Sequence, residues 1–212
     1  CVKIPLMQKY GELLRTLLEK RGITDLAQAD VFLNPDYKRD LHDPFLMKDM
    51  ERACVRIFEA TEAEEKIVIY ADYDCDGIPG AVILQDLFKK IGYQNFEVYI
   101  PQRNSEGYGL SMDAIKRFVT KEVKLIVTVD LGITAVEEVA QAEVDGIDVI
   151  ITDHHLPQEI LPRAYAILNP KTDDYPEKML SGAGVVFKLA QAFFKKYSEY
   201  FKIKDGAEKW ML

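Results

Sequence analysis

Residues 67–77 read IVIYADYDCDG. The first five form an unbroken apolar run, which is typical of a short strand buried on both faces. The acidic turn that follows has aspartates at 72, 74 and 76 and ends in Gly77, and Pro79 suits the first turn of a helix. The stretch therefore predicts a strand, an acidic turn and a helix in direct succession.

Similar apolar runs lie downstream, separated by stretches with helical periodicity. Strands are predicted at 67–71, 98–100, 125–129, 149–152 and 164–168, and helices at 80–91, 111–118, 135–143 and 185–197. This alternation is typical of an α/β fold with a mostly parallel sheet flanked by helices. Upstream, only helical patterns are convincing, at 7–21 and 49–64. We therefore predict a helical N-terminal segment at 1–65 and the sheet domain at 66–212.

The composition limits the class of protein. The formal net charge of −8 counts mildly against a polyanionic substrate, although a local basic groove or bound divalent cations can offset an acidic average. Three cysteines without a C-x-x-C pair argue against a disulfide framework or a structural zinc site and favour a reducing compartment. No apolar run reaches membrane-spanning length and no signal peptide is recognisable, so we expect a cytoplasmic protein without a membrane partner.

Acidic residues and histidines follow three of the predicted strands. The first strand ends in Asp72, Asp74 and Asp76, the third in Asp130, and the fourth in Asp153-His154-His155. The carboxyl ends of parallel strands lie on one edge of a sheet, so these side chains are expected to converge. Clustered carboxylates repel one another unless they bind protons or cations.

This set of ligands suits Mn²⁺ or Mg²⁺ better than structural zinc. It is large enough for two metals, with Asp130 as a candidate bridging carboxylate. A two-metal site of this kind can activate water and clamp a phosphoryl group for in-line phosphodiester hydrolysis.

The same residues also have other interpretations. An aspartate after a strand is often a helix cap or a turn residue, and for Asp130 alone that interpretation is favoured. The spacing of Asp72, Asp74 and Asp76 also resembles the start of an EF-hand loop, but the twelfth position of that loop is Ile83 instead of a bidentate glutamate. An aspartyl-nucleophile phosphatase stays as a weak alternative that leaves Asp130 and both histidines without a role.

Taken together, the motifs resemble the DHH phosphoesterase superfamily, whose Asp-His-His motif is Asp153-His154-His155 here. Within it, the chain is most similar to the RecJ-like family of single-strand-specific DNA exonucleases. The resemblance is carried in order by residues 32–35, 69–77, 99–101, 103–110, 129–130, 151–155 and 181–185.

The resemblance implies a role for each matching residue. The implied metal ligands are Asp74, Asp76, Asp130 and His154, with Asp72 as a ligand or a close supporter. His155 would face the scissile phosphate, so the implied catalytic residues are Asp130, His154 and His155. Substrate phosphates would be contacted by Arg103 and by the turn that contains Ser181, Gly182 and Gly184.

The last assignment also has physical support, because a glycine-rich turn that opens a helix presents N–H groups to an anion. A simple glycine-rich turn and a surface ion pair of Arg103 are the alternatives.

The sequence departs from the family pattern at Ala71, Pro79 and Leu131. Leu131 stands where Asn is common, which would weaken the support of the metals. The chain also stops near the place where the family has a further aspartate ligand, and a C-terminal substrate-holding domain is absent. We therefore expect a longer protein, and little or no activity from the 212 residues alone.

By this resemblance the expected function is divalent-metal-dependent 5′–3′ hydrolysis of single-stranded DNA in recombination and repair. Single-stranded DNA is the expected partner, beside replication or repair proteins of unknown identity. The alternatives are a DHH phosphoesterase for short oligonucleotides, cyclic dinucleotides or pyrophosphate, and a non-enzymatic scaffold of the replication complex.

Overall fold

A computed structural model describes residues 9–104, 106–204, 206–207 and 209. The contacts divide the chain into two compact units, with the boundary between Asp43 and Pro44. The predicted boundary between residues 65 and 66 marks the start of the sheet, and as a domain boundary it stays a prediction. The sheet-containing unit begins earlier, at Pro44, and includes the helix before the first strand.

In the smaller unit, residues 9–43 include two short helices, α1 (Glu12–Lys20) and α2 (Leu26–Leu33). Asp25 caps α2, because its carboxylate accepts the N–H groups of residues 27 and 28 at 2.9 Å each. Leu18 of α1 and Ala29 of α2 form the centre of a small apolar cluster. The helix predicted at 7–21 is confirmed over Glu12–Lys20, and its residues 7 and 8 lie outside the described part. Helix α2 was not predicted.

The larger unit is a three-layer α/β fold. After a 3₁₀ turn at Pro44–Leu46, its elements in chain order are α3 (Met50–Glu62), β1 (Lys66–Ala71), α4 (Gly77–Lys90), β2 (Phe96–Tyr99), α5 (Met112–Thr120), β3 (Val123–Val129), α6 (Val136–Val144), β4 (Asp148–Thr152), β5 (Ala166–Leu168) and α7 (Gly182–Tyr197). The strands form one sheet in the order β2-β1-β3-β4-β5, and every neighbouring pair is parallel. The predicted fold class is confirmed.

Helices cover both faces of this sheet. On one face, α5 and α6 pack against alternate strand residues that include Val68, Ile126 and Ile151. Helices α4 and α7 lie on the other face. All but the first residue of β1 and of β4 are buried, which confirms that the continuous apolar strands are shielded on both sides. No helix in the described part of the chain is long and apolar enough to cross a membrane.

Two glycines bring the start of α4 close to the sheet. A Cβ on Gly77 would lie 2.5 Å from the carbonyl oxygen of Asp72, and a Cβ on Gly80 would lie 2.5 Å from Cγ1 of Val129. Any larger residue at either position would push the helix away. The glycines therefore allow α4 to begin directly above the carboxyl ends of β1 and β3, where the acidic residues lie.

Candidate metal centre

Three aspartates extend the hydrogen bonding of the sheet beyond its strands. Asp72, Asp130 and Asp153 each follow a strand, and each donates its N–H to the carbonyl of the last residue of the adjacent strand, at N···O distances of 3.1, 2.9 and 3.0 Å. Their backbone positions are therefore fixed by the sheet. The predicted convergence at the carboxyl edge is present in the structure.

The converging side chains form two groups of possible metal ligands that share one residue. Asp130, His154 and His155 form the first group, and Asp72, Asp74 and Asp130 form the second. Within each group the ligand atoms lie within 4.8 Å of one another. Asp130 is the residue that the two groups share, and its role as a bridging metal ligand stays a prediction.

The carboxylate of Asp130 is buried without a compensating partner. The residue is 1% exposed, and its Oδ1 accepts no hydrogen bond. Burial, followed by the negative charges of Asp76 and Asp74, raises the pKa of Asp130 to about 8. Its φ angle of 62° lies in the left-handed region, which aspartate tolerates better than most residues. A buried carboxylate in this state is stabilised only by a proton or a cation.

Gly182 provides the space that this carboxylate occupies. A Cβ on residue 182 would lie 2.4 Å from Oδ1 of Asp130 and 2.6 Å from its Cβ. The first residue of α7 therefore packs directly on the Asp130 carboxylate, and only glycine fits there without displacing it.

The hydrogen bond of His154 directs its other ring nitrogen toward the carboxylates. Nδ1 lies 2.9 Å from the carbonyl oxygen of Leu180, and because a carbonyl only accepts, Nδ1 carries the proton in the neutral ring. The lone pair on Nε2 then faces Oδ1 of Asp130 at 3.1 Å and Oδ2 of Asp76 at 3.6 Å. The Nε2 lone pair and these carboxylate oxygens are all hydrogen-bond acceptors, so at these distances they need a cation between them. An imidazole whose other nitrogen is bonded to a backbone carbonyl is a common metal ligand. These residues fit a divalent metal.

Asp153 orients the histidine segment, a role that the sequence did not indicate. It is 1% exposed, and Oδ2 accepts the N–H of Ile133 at 2.9 Å. Oδ1 accepts the backbone N–H groups of His154 and His155 and lies 2.7 Å from Nδ1 of His155. The half-exposed His155 ring therefore has its Nε2 available for a ligand. The signal in the sequence was the aspartate of the Asp-His-His motif itself.

Asp74 and Asp72 differ in their environment. Oδ1 of Asp74 accepts the N–H groups of Asp76 and Gly77 at 2.8 Å each, and these bonds, chiefly the one from Gly77, lower its pKa. Asp72 is 4% exposed and its Oδ1 accepts the N–H of Tyr73 at 2.8 Å. Burial raises the pKa of Asp72, and the neighbouring Asp74 adds to the effect. The exposed member of the pair is thus the more readily ionised one.

Asp76 holds the start of α7. Its Oδ2 accepts the N–H of Gly182 at 2.7 Å, and its Oδ1 accepts the N–H of Ala183 at 2.8 Å. The residue lies beside both ligand groups and belongs to neither. Its assignment as a metal ligand stays a prediction.

The turn at Ser181–Gly184 differs from its expected state. The N–H of Gly182 is donated to Asp76, and the N–H of Gly184 is donated to Oγ of Ser181 at 3.1 Å. The prediction that these groups point freely at a substrate anion is wrong, because a carboxylate of the chain already occupies the helix start. Contact of Ser181, Gly182 and Gly184 with substrate stays a prediction.

Arg103 lies at the rim of the site. Its guanidinium is 5.5 Å from the centre of the Tyr73 ring, and its charge contributes to lowering the pKa of Asp72 against the larger effect of burial. In the same loop, the hydroxyl of Tyr108 donates to the carbonyl of Asp130 at 3.4 Å. The structure therefore brings Arg103 near the carboxylates, and its contact with substrate stays a prediction.

Two further residues support the histidines and were not predicted. Asn169, fully buried just after β5, donates from Nδ2 to the carbonyl of His155 at 2.9 Å and accepts the N–H of Lys171 at Oδ1. The ammonium of Lys171 donates to the carbonyl of His154. The available signal was the position of Asn169, a polar residue directly after an apolar strand.

Comparisons with known proteins agree with this geometry. Residues 66–210 match the DHH family, N-terminal domain. The chain is 44% identical over 85% of its length to the single-stranded-DNA-specific exonuclease RecJ of Bacillus subtilis, and 34% identical over 88% of its length to the RecJ of Haemophilus influenzae. A crystal structure of exonuclease RecJ bound to manganese aligns with a TM-score of 0.67 at 30% identity, covering 74% of this chain and 40% of that one.

The chain corresponds to only part of these relatives. It spans 23% of the length of the Bacillus subtilis protein and 32% of the Haemophilus influenzae protein. The family match nevertheless covers more than half of the 212 residues and includes the whole carboxylate and histidine cluster. The chain therefore belongs to the DHH family.

Proposed function

We propose that the whole protein is a divalent-metal-dependent 5′–3′ exonuclease that hydrolyses phosphodiester bonds of single-stranded DNA in recombination and repair. The observation that carries this proposal is the buried Asp130 carboxylate, which two ligand groups share and whose Oδ1 has no hydrogen-bond partner. The relatives named as single-stranded-DNA-specific exonucleases supply the substrate class. The similar structure named as bound to manganese supports Mn²⁺, with Mg²⁺ as the alternative.

In this proposal the carboxylates and one histidine hold two metal ions. Asp72 and Asp74 form one ligand group with Asp130, and His154 belongs to the other group that contains Asp130. Asp76, whose Oδ2 lies 3.6 Å from Nε2 of His154, completes the predicted set of ligands. Bound divalent ions supply Lewis-acid polarisation of a phosphoryl oxygen and an activated water nucleophile. The sheet holds Asp72 and Asp130 at fixed positions before any ion arrives, so little reorganisation is needed on binding.

His155 is proposed to contact the scissile phosphate. Asp153 fixes the ring through Nδ1 at 2.7 Å, so Nε2 is the nitrogen that can point outward. In the protonated ring, Nε2–H can donate to a non-bridging phosphate oxygen. His155 is therefore the residue whose loss should reduce catalysis while metal binding persists.

Arg103 and the turn at Ser181–Gly184 are proposed to bind the substrate backbone. An exposed guanidinium beside the carboxylates can pair with a phosphate in bidentate geometry. At the turn, the hydroxyl of Ser181 keeps a proton to donate, because its oxygen serves as acceptor for Gly184. By the same resemblance we propose a cytoplasmic enzyme that works beside replication or repair proteins.

The decisive assay compares substrates for the full-length protein. End-labelled single-stranded DNA, duplex DNA, a short oligoribonucleotide and pyrophosphate are incubated side by side with Mn²⁺ or Mg²⁺. We expect shortening of single-stranded DNA from the 5′ end and little change in the duplex. Strong turnover of the oligoribonucleotide or pyrophosphate without turnover of DNA would contradict the proposal and favour a small-substrate phosphoesterase.

A histidine variant tests the catalytic assignment. We expect His155→Ala to reduce the hydrolysis rate by about 100-fold or more, as for loss of a donor that stabilises charge in the transition state, while calorimetry shows Mn²⁺ binding as in the parent. His42→Ala is the matched control, because it removes an imidazole outside the ligand groups. Loss of metal binding in His155→Ala would instead assign this residue to the metals.

A further inference from the structure

The loop that carries Arg103 is closed by one residue, Glu106. The N–H of Glu106 donates to the carbonyl of Gln102 at 2.9 Å, and the N–H of Gln102 donates to Oε2 of Glu106 at 2.8 Å. Main chain and side chain of the same residue therefore close the turn that contains Arg103. An arginine in such a turn has fewer conformations available than one in an open loop.

The second carboxylate oxygen of Glu106 ties this turn to the elements on either side of the loop. Oε1 accepts hydrogen bonds from the hydroxyl of Tyr99, at the end of β2, and from the guanidinium of Arg117, on α5. Arg117 also lies over the Tyr99 ring, 5.2 Å from its centre. These bonds, led by the one from Tyr99, lower the pKa of Glu106 to about 2, so the carboxylate is ionised at neutral pH.

The far end of the loop is anchored on the central sheet. The hydroxyl of Tyr70, a fully buried residue of β1, donates to the carbonyl of Gly109 at 2.9 Å. Tyr99 packs between Tyr70 and Phe118, with ring centres 5.1 and 5.3 Å away. The partner that holds Glu106 is thus itself immobilised by the core.

Arg103 and Tyr108, which the loop positions, lie next to the carboxylates of the metal centre. Tyr99, Glu106 and Arg117, which anchor the loop, do not contact those carboxylates. Between the two anchors, Tyr108 reaches the backbone of Asp130 and Arg103 lies over Tyr73. The oxygens of Glu106 are engaged by Tyr99, Gln102 and Arg117. The contacts of Glu106 are therefore made to the loop itself, to β2 and to α5.

Stability alone is a poor explanation for this arrangement. The side chain of Arg117 is 51% exposed, and exposed ion pairs contribute little to the free energy of unfolding. A group that must be ordered when the substrate binds, in contrast, lowers affinity by the conformational entropy it loses. We call the contacts of Glu106 with Tyr99 and Arg117 the clamp. The clamp orders the loop before the strand binds, so this loss of conformational entropy does not occur on binding.

We propose that Glu106, clamped by Tyr99 and Arg117, is a positioning residue that holds the Arg103 turn against the metal centre and thereby sets how tightly the end of a DNA strand is captured. This inference rests on the proposed function. It assigns to Glu106 an effect on KM, and leaves metal binding and the chemical step to the aspartates and histidines.

The test compares Glu106→Gln and Glu106→Ala with a matched control in the full-length protein. Glu97→Gln is the control, because Glu97 of β2 pairs at 2.9 Å with Lys121, the residue directly after α5, and so forms a similar ion pair outside the loop. We expect KM for single-stranded DNA to rise about 10-fold in Glu106→Ala and less in Glu106→Gln, with kcat and Mn²⁺ affinity close to those of the parent. Amide hydrogen exchange of residues 102–109 should become faster in both variants. The control should match the parent in every measurement.

Other outcomes would contradict the inference or the proposed function on which it rests. An unchanged KM and unchanged exchange in Glu106→Ala would show that the clamp does not position the loop. A loss of Mn²⁺ binding, or a fall in kcat at constant KM, would place Glu106 in the metal centre instead. If the parent protein does not hydrolyse DNA, both the proposed function and the proposed substrate of this loop are wrong. In that case, faster amide exchange in the Glu106 variants would still identify Glu106 as the residue that orders the loop.

Discussion

Buried charges are compensated differently at the two edges of the sheet, the amino edge where the strands start and the carboxyl edge where they end. At the amino edge, the nearly buried Arg56 of α3 donates from Nε to Asp148 at 2.6 Å and from Nη2 to Glu65 at 2.7 Å. One guanidinium thus compensates two carboxylates at the starts of β4 and β1. At the carboxyl edge, Asp72, Asp74 and Asp130 converge, and among the described residues none of the three forms an ion pair with a lysine or arginine.

This difference separates structural charge from functional charge. Burying a charge without a partner is costly, and at the amino edge the chain supplies two partly exposed carboxylates as partners of the buried guanidinium. At the carboxyl edge the chain supplies ligands and leaves the positive charge to come from outside. A cluster of acidic side chains indicates function when its burial is left uncompensated, as at Asp130.

The largest effect is expected from removing the shared carboxylate. Asp130→Asn keeps a residue that tolerates the left-handed backbone but loses the charge, and we expect Mn²⁺ affinity to fall by about 100-fold or more. Isothermal calorimetry on the chain measures this. Asp148→Asn, at the other edge, is the control and should bind Mn²⁺ as the parent does. Equal affinities in both variants would show that the two edges do not differ in this way.

The converse change removes the cation that compensates the carboxylates at the amino edge. Arg56→Met removes the charge-assisted hydrogen bonds to the partly exposed Glu65 and Asp148, and we expect the free energy of unfolding to fall by about 2 kcal/mol, with Mn²⁺ affinity unchanged. Urea denaturation provides the measurement. Arg52→Met on the same helix, whose guanidinium lies 4.5 Å from the Tyr165 ring, should lose only about 0.5 kcal/mol. Equal losses in the two variants would remove the special role of Arg56.

A smaller effect is expected at the helix start that packs on Asp130. Gly182→Ala places a Cβ against this carboxylate, and we expect a loss of roughly 1–2 kcal/mol together with weaker Mn²⁺ binding. Gly184→Ala is the control on the same helix, because its Cβ would meet only ordinary contacts of 3.4 Å or more. Thermal unfolding with and without Mn²⁺ measures both variants. Identical behaviour of the two would contradict the close packing at Gly182.

A further effect concerns pH in the absence of metal. The pKa of Asp130 is raised from 3.8 to about 8, so the folded chain binds this proton more tightly than the unfolded chain. The stability that this proton contributes is complete below a pH of about 4 and is lost as pH rises toward about 8. We expect the metal-free Tm to fall across this window and Asp130→Asn to flatten the dependence. A pH-independent difference between parent and variant would exclude Asp130 as the titrating group.

The prediction of elements failed where the local pattern was weak. The long apolar runs of β1, β3 and β4 were found close to their observed bounds, because strands buried on both faces need continuous apolar sequence. Helix α2 was not predicted from the sequence, because it has only eight residues and its apolar residues are not confined to one face. Helix α7 begins at Gly182, three residues before its predicted start, because Ser181 caps it and Asp76 accepts two of its first N–H groups.

The sequence by itself determined that the acidic residues and histidines would meet. In a parallel sheet every strand ends on the same edge, so residues that follow strands converge whatever the details of packing. Only the tertiary structure decided what each of them does there. Asp153 and Asp76 are similar in sequence to Asp130, yet their oxygens accept N–H groups, and the bonds to Asp76 come from residues more than 100 positions away. Hydrogen-bond partners are set by which segments pack together, and this packing alone left Oδ1 of Asp130 buried without a partner.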